Sequence, residues 1–195
     1  MTTTSNTLYP EEEQLLTIKP KEFYEREAEK LNWFYHVDHQ GRIYAEDTIP
    51  KNIATSIKAP KFLDFFFRQI RLNKNSEFSE YQWYSPCGNE HNYIKATKHP
   101  VVFQELKNIP KNDELVLVWG ATLNVPFEPS KLRLDNDGFL YHPLKTRRFD
   151  TLALIKSSVG VELSNNIIDV LDEPDRNGTV GTFEWNGVKH AIHAV

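Results

Sequence analysis

Two octapeptides far apart in the chain share one pattern: "VDHQGRIY", ending at Tyr44, and "LDNDGFLY", ending at Tyr141. In each, an aliphatic residue and an Asp are followed by two residues, a Gly, two more residues and a Tyr. An Asp carboxylate accepts hydrogen bonds from amides just downstream, and Gly tolerates the positive φ that a tight, bulged loop demands. With strand-like residues on both sides, each copy reads as the corner of a β-hairpin. The competing reading is an ion site. A calcium loop with Gly138 at its sixth position would place Arg133 first and Leu144 twelfth, where carboxylates are required, so the pattern is a turn.

The periodicity around these corners sorts the chain into the α+β class. "PKEFYEREAEKL" from Pro20 predicts a short charged helix docked by Phe23 and Leu31. "APKFLDFFFRQIRLN" predicts a second helix with Pro60 at its start. Phe62, Phe66 and Ile70 form a buried stripe widened by Leu63 and Phe67, while Asp64 and Arg68 pair on the outer side. "YQWYSPCGNEHNYIKAT" reads as two strands about a tight turn, "PVVFQEL" and "ELVLVW" as strands, and "NVPFEPSKL", with Pro126 and Pro129, as an edge segment. "DTLALIKSSVGVEL" reads as a helix capped by Asp150, with its first part also open to a strand reading. "TFEWNGVKHAIHAV" is a hairpin turning at Asn186 and Gly187, and the triplet Asn177, Gly178, Thr179 is a turn. The expected organisation is a disordered acidic tail (1–17), a short helix (18–32), an N-terminal α+β lobe (33–110) and a C-terminal α+β lobe (111–195). The two small hairpin, helix and strand lobes pack into one compact domain with mostly antiparallel sheets.

A chain of 195 residues buries roughly 70% of its unfolded surface, and 12 Phe, 8 Tyr and 4 Trp supply an aromatic core. The formal net charge of -4 gives no general attraction to phosphate backbones or anionic membranes. Lys145, Arg147 and Arg148 form a short basic group without any nucleic-acid motif, so neither nucleic acid nor membrane is expected as a partner. Cys87 stands alone, which excludes an intramolecular disulfide and fits a reducing compartment. No stretch approaches the roughly 20 apolar residues of a membrane span. The opening residues lack Arg and carry Glu11, Glu12 and Glu13, the wrong charge for a mitochondrial presequence, so cytoplasmic residence is expected.

Chemistry is harder to find. His190 and His193, like His36 and His39, are three apart in strand-like segments and would face opposite sides, while His99 and His142 each precede a Pro; no metal is expected. Gly-rich phosphate loops are absent, and no cofactor is expected. "SPCGNEH" places Cys87 at a strand turn beside Glu90 and His91, which allows a thiol nucleophile with His91 as base, although the neighbouring carboxylate raises a thiol's pKa. A sheet face carrying Trp33, Tyr35, Tyr44, Trp83, Tyr84 or Trp119 offers a ligand groove. The leading reading is a non-catalytic module binding a small molecule or a protein. Asp38, Gly41, Arg42, Glu90, Asn92 and His142 are its ligand-facing residues, with Cys87 and His91 beside them. The alternative is a Cys-dependent hydrolase or transferase using Cys87 and His91.

The ordered blocks "FYHVDHQGRIYAED", "PKFLDFFFRQIR", "CGNEHNYI" with "HPVVFQEL", and "VPFEPSKLRLDNDGFLYHP" resemble a eukaryotic family called uncharacterised protein family 0598, from about Phe34 to Pro143. The resemblance implies a domain of unknown function with no activity or ligand to carry over. Some animal relatives have a longer, basic leader that implies mitochondrial residence, from which this sequence departs. The succession of hairpin, Phe-rich helix, strands, second hairpin and second helix is also similar to a bacterial family of unknown function with a two-part α+β fold, which favours two lobes.

Overall fold

In the computed structural model, which describes residues 18–110 and 114–195, both Asp/Gly corners are turns of the same construction. The tail expected over 1–17 lies outside the described residues. Asp38 Oδ1 accepts from Gln40 N at 2.8 Å and Arg42 N at 2.9 Å, while Gly41, at φ +74°, donates to the Asp38 carbonyl at 2.9 Å. Asp135 Oδ1 does the same for Asp137 N at 3.0 Å and Phe139 N at 2.8 Å, with Gly138 at φ +83°. The closing tyrosines complete each unit: Tyr44 donates to Asp38 Oδ2 at 3.2 Å and Tyr141 to Asp135 Oδ2 at 3.0 Å. One carboxylate oxygen therefore holds the loop and the other anchors the strand that leaves it. A third corner exists at Asp175, which accepts from Asn177 N and Thr179 N, both at 2.8 Å, and whose carbonyl accepts from Gly178 N. The turn expected at Asn177 to Thr179 is part of it.

The elements run α1 (Lys21–Glu29), β1 (Asn32–Val37), β2 (Ile43–Ala45), α2 (Pro60–Gln69), β3 (Arg71–Leu72), β4 (Trp83–Cys87) and β5 (Glu90–Ala96). Then come β6 (Val102–Phe103), β7 (Glu105–Ile109), β8 (Glu114–Trp119), β9 (Leu123–Pro126), β10 (Arg133–Leu134), β11 (Leu140–Lys145) and β12 (Asp150–Ile155). The chain ends with α3 (Ser157–Ser164), β13 (Ile167–Val170), β14 (Thr179–Trp185) and β15 (Val188–Ala194). The first sheet has the order β2-β1-β5-β4-β3. The second, β13-β14-β15-β10-β11-β12-β6, contains the same arrangement, and β7-β8-β9 form a third. In both large sheets, the first strand of an Asp/Gly hairpin lies parallel to the last strand of a second hairpin: β1 beside β5, β10 beside β15. The registers agree as well. Val37 pairs with Ala96 and Leu134 with Ala194, each immediately before the corner Asp. A helix separates the two hairpins in each case, so the chain builds one topology twice, the second copy adding β12 and β6 at its edge.

This architecture is mostly β with some helix, compatible with the α+β class, and antiparallel pairings predominate. Three joins, β1–β5, β10–β15 and β12–β6, are parallel. The boundary expected at residue 110 falls between β7 and β8, which pair with one another, and β6 already belongs to the second sheet. "DTLALI" is a strand and not the start of a helix, because Asp150 to Leu154 pair antiparallel with β11 while Leu154 and Ile155 pair with β6. Helix α3 starts only at Ser157. Asp64 also differs from expectation. Its carboxylate accepts from Ala121 N and Thr122 N, both at 2.8 Å, and from Thr122 Oγ1 at 2.5 Å, tying α2 to the β8–β9 turn.

The α2 stripe is buried as its spacing predicts: Phe66 and Ile70 are fully inaccessible and Phe67 nearly so. They join a core that also contains Phe103, Leu117, Leu132, Leu144 and Phe183, and so runs through both large sheets. On its opposite face the first sheet carries a separate cluster of Phe34, Phe78, Tyr81 and Tyr93, covered by Phe23 and Tyr24 of α1. That second face leads to the site.

Candidate functional site

Strand alternation decides which side chains meet. With Tyr84 opposite Tyr93 and Pro86 opposite His91, these four residues share one face of the β4–β5 hairpin, and Ser85, Cys87, Glu90 and Asn92 share the other. On the first face Tyr84 Oη lies 2.6 Å from His91 Nδ1, and the two rings are near-parallel, 23° apart with centroids 5.9 Å apart. The Arg71 guanidinium sits over the Tyr84 ring at 5.3 Å, and Tyr93 is 5.5 Å from it. The connection from β3 to β4 is braced by asparagines: Asn73 Nδ2 donates to the Phe78 and Tyr81 carbonyls, both at 2.8 Å, and Asn75 Nδ2 to Tyr93 Oη at 2.9 Å.

These groups floor and wall a cleft of about 860 Å³, which Arg148, Phe149 and Asp150 of the β11–β12 turn close from the second sheet. Phe149 is seated against Trp83, ring centroids 5.8 Å apart. On the far rim, Glu27 accepts from Lys30 Nζ at 3.0 Å, Asn32 Nδ2 at 2.9 Å and Arg26 Nε at 3.1 Å. Burial alone would raise the Glu27 carboxyl, but these donors outweigh it and hold the group below the usual carboxylate range. Lys30 and Asn32 are thereby fixed in place. Arg71, Lys74 and Arg148, by contrast, line the cleft with no carboxylate at ion-pair distance among the described residues. The cleft lining carries Lys30, Arg71, Lys74 and Arg148 against Glu77 and Asp150, a net positive surface in a chain of net charge -4.

The internal repeat supplies a comparison. By register, Thr182, Ala191 and Lys189 of the second sheet occupy the positions of Tyr84, Tyr93 and His91 in the first. The ring surface is therefore not a requirement of the topology.

Of the catalytic and ligand-facing residues singled out from the sequence, only His91 lines this cleft, joined by Tyr84 from the aromatic groove expected on the sheet. Cys87 lies on the opposite face of the hairpin from His91, so the two do not form a nucleophile and base; burial, then Glu90, pushes the thiol up, away from reactivity. Glu90 is exposed at the hairpin end. Asn92 is buried and donates to the Ser85 carbonyl at 2.6 Å, while its Oδ1 has no partner among the described residues. Asp38 and Gly41 build the corner, where a Cβ on Gly41 would lie 2.1 Å from Gln104 Nε2, and neither lines this cleft. Arg42 faces Asp38 Oδ2 at 3.6 Å and lines a different hollow of about 230 Å³. His142 is buried, its Nε2 accepting from Glu128 N at 3.1 Å and its Nδ1 facing the Pro143 carbonyl at 2.9 Å, so it serves the core as a neutral ring. Arg71, Lys74 and Tyr93 carry no motif that marks them as site residues, and Arg148 stands in the sequence only as part of a short basic group. Among the described residues, no group of three His, Cys, Asp or Glu is placed to hold a metal ion.

The buried imidazoles carry a pH prediction. His142 and His99 are pushed below the ordinary value of 6.5, burial being the first cause in each, and half-buried His36 moves the same way. The native state stays neutral where the unfolded chain binds protons, so stability falls as pH drops from about 6.5 toward the folded values. Each fully titrating imidazole contributes up to about 1.4 kcal/mol per pH unit. Urea denaturation at pH 7.5 and 5.5 should show lower stability at 5.5, and His142→Gln should show a shallower decline. Equal stability at the two pH values refutes this.

The fold and cleft define a mostly β, internally repeated protein with a cationic, ring-lined cavity. Residues 24–195 match the model of a family described as a domain of unknown function, DUF4505, and the chain belongs to that family. It is similar to the crystal structure of a DUF1285 family protein from Silicibacter pomeroyi DSS-3, at 13% identity and TM-score 0.47, over 84% of this chain and 82% of that one. It is also similar to a DUF1285 family protein from Shewanella baltica OS155, at 12% identity and TM-score 0.44, over 68% of this chain and 91% of that one. Among the described residues no helix is long and apolar enough to cross a membrane.

Proposed function

We propose that the protein is a non-catalytic binding module whose ligand is a small organic anion held in the cleft between the outer face of the first sheet and the β11–β12 turn. The carrying observation is the set Arg71, Lys74 and Arg148, which line one cavity without carboxylate partners among the described residues while the chain as a whole is acidic. Guanidinium groups present several N–H donors in a planar fork, and hydrogen bonds between ionised partners are roughly twice as strong as neutral ones. Cys87 on the opposite face offers the cleft no nucleophile, which favours binding over the thiol chemistry of the alternative. In the same reading the protein is soluble and cytoplasmic, supported by its free cysteine and negative net charge.

Isothermal titration of small phosphates and carboxylates should find millimolar or tighter binding that weakens with salt. Arg71→Ala and Arg148→Ala should each reduce affinity about ten-fold or more, with melting temperature little changed because both side chains reach solvent. Binding that ignores both substitutions, or no binding by any anion, would remove the proposal.

A further inference from the structure

The geometry points to a ligand of a particular build: a flat aromatic or heteroaromatic ring joined to a phosphate or carboxylate, the ring lying on Tyr84 and His91 and the acid meeting Arg71, Lys74 and Arg148. This rests on the binding reading above and adds the ring. Tyr84 and His91 are tied edge to edge by the 2.6 Å hydrogen bond and held nearly parallel, and Arg71 fixes the tyrosine further. Locking these rotamers in advance lowers the ordering cost that a stacking ligand would otherwise meet. Tyr84 is half-buried and His91 exposed, so ring surface is left open to the cleft.

Two further observations support the ring. The cleft, at about 860 Å³, is far larger than an inorganic anion needs and falls within the usual range of roughly 300–1,000 Å³ for small-organic sites. The second repeat has Lys189 at the position of His91, and Thr182 and Ala191 in place of Tyr84 and Tyr93, so the same fold forms without the rings. A single-stranded nucleic acid uses the same stacking and charge. A small ligand fits better, because Lys30 and Asn32 bound the cleft on one side and Arg148 to Asp150 on the other, and the acidic chain repels a polyanion extending past it.

The test compares phenyl phosphate, cyclohexyl phosphate, benzoate, inorganic phosphate and a short single-stranded oligonucleotide by isothermal titration calorimetry. Phenyl phosphate should bind about five-fold more tightly than cyclohexyl phosphate, the range expected for an aromatic contact beyond its buried area. Tyr84→Leu should erase that difference, with each variant's affinity for inorganic phosphate measured as the reference for the acid contacts alone, and His91→Ala, at an exposed position, should narrow it without a change in melting temperature. Benzoate against phenyl phosphate tells which acid the cations prefer. Equal binding of the phenyl and cyclohexyl compounds, both sensitive to Arg71→Ala, sinks the ring and leaves the anion site standing. An oligonucleotide that outcompetes every small probe sinks the small-ligand assignment, and no binding by any probe sinks both readings.

Discussion

Phe66→Ala should cost about 3 to 5 kcal/mol of folding free energy, a large part of the roughly 5 to 15 kcal/mol that holds a typical domain together. Phe66 is fully inaccessible, with the rings of Tyr35, Phe62 and Phe67 at 5.2, 5.3 and 5.5 Å. Its carbonyl accepts from Ser85 Oγ at 2.7 Å, so the helix backbone at this point is fastened to β4 and cannot slide inward to fill a void. The residue belongs to the core shared by the two large sheets, and a hole there removes contacts that interiors packed at crystal density do not recover. Phe65, one position earlier, is 45% exposed, and Phe65→Ala should cost under about 1 kcal/mol. Urea midpoints of the two variants make an internal comparison. A Phe66→Ala loss as small as that of Phe65→Ala would mean that α2 does not bridge the repeats.

The same helix shows what could be read from the sequence. Its stripe and proline start are local, as are the corners at Asp38 and Asp135, where one side chain and one glycine determine the loop. At the third corner the turn over Asn177 to Thr179 is legible but its likeness to the other two is not, because Pro174 and Gly181 stand where they have an aliphatic residue and a tyrosine, even though the hydrogen bonds at Asp175 are the same. "DTLALI" was ambiguous because a short apolar run suits a covered strand as well as a helix, and its pairing with β6, some fifty residues earlier, has no local trace. The parallel joins were hidden for the same reason. The duplication could be suspected from one octapeptide, but its extent shows only in strand order and register. As for the site, net charge averaged away a local cluster, since Arg148 meets Arg71 and Lys74 only through the approach of one repeat's turn to the other's sheet.

Glu46→Ala should prove as damaging as the loss of Phe66, about 3 to 5 kcal/mol, although nothing in the sequence marks this residue. Glu46 follows β2 and is 2% exposed. Its Oε2 accepts from Tyr24 Oη at 2.9 Å and Tyr81 Oη at 2.5 Å, and its Oε1 from Lys95 Nζ at 2.9 Å. Lys95 also lies over the Tyr81 ring at 4.3 Å. Burial first, with Glu46 adding to it, raises both tyrosines well above the ordinary phenol range, so both hydroxyls remain donors at any physiological pH. Removing the carboxylate strands three donors at once, one of them on the fully buried Tyr81, and leaving such groups unpaired costs more than the bonds contributed. Glu46→Gln keeps the shape and one acceptor oxygen but turns an amide toward the remaining donor, so it should lose less than Ala and more than a surface change. Tyr24 is the tether of α1, which covers Phe34 and Tyr93 and leads into Lys30 and Asn32 at the cleft rim. Backbone hydrogen exchange over Lys21–Glu29 should therefore accelerate in Glu46→Ala beyond what global destabilisation explains, and anion affinity at the cleft should weaken with it. Unchanged exchange in α1 would show that the apolar cluster alone holds the helix and that the buried carboxylate is dispensable.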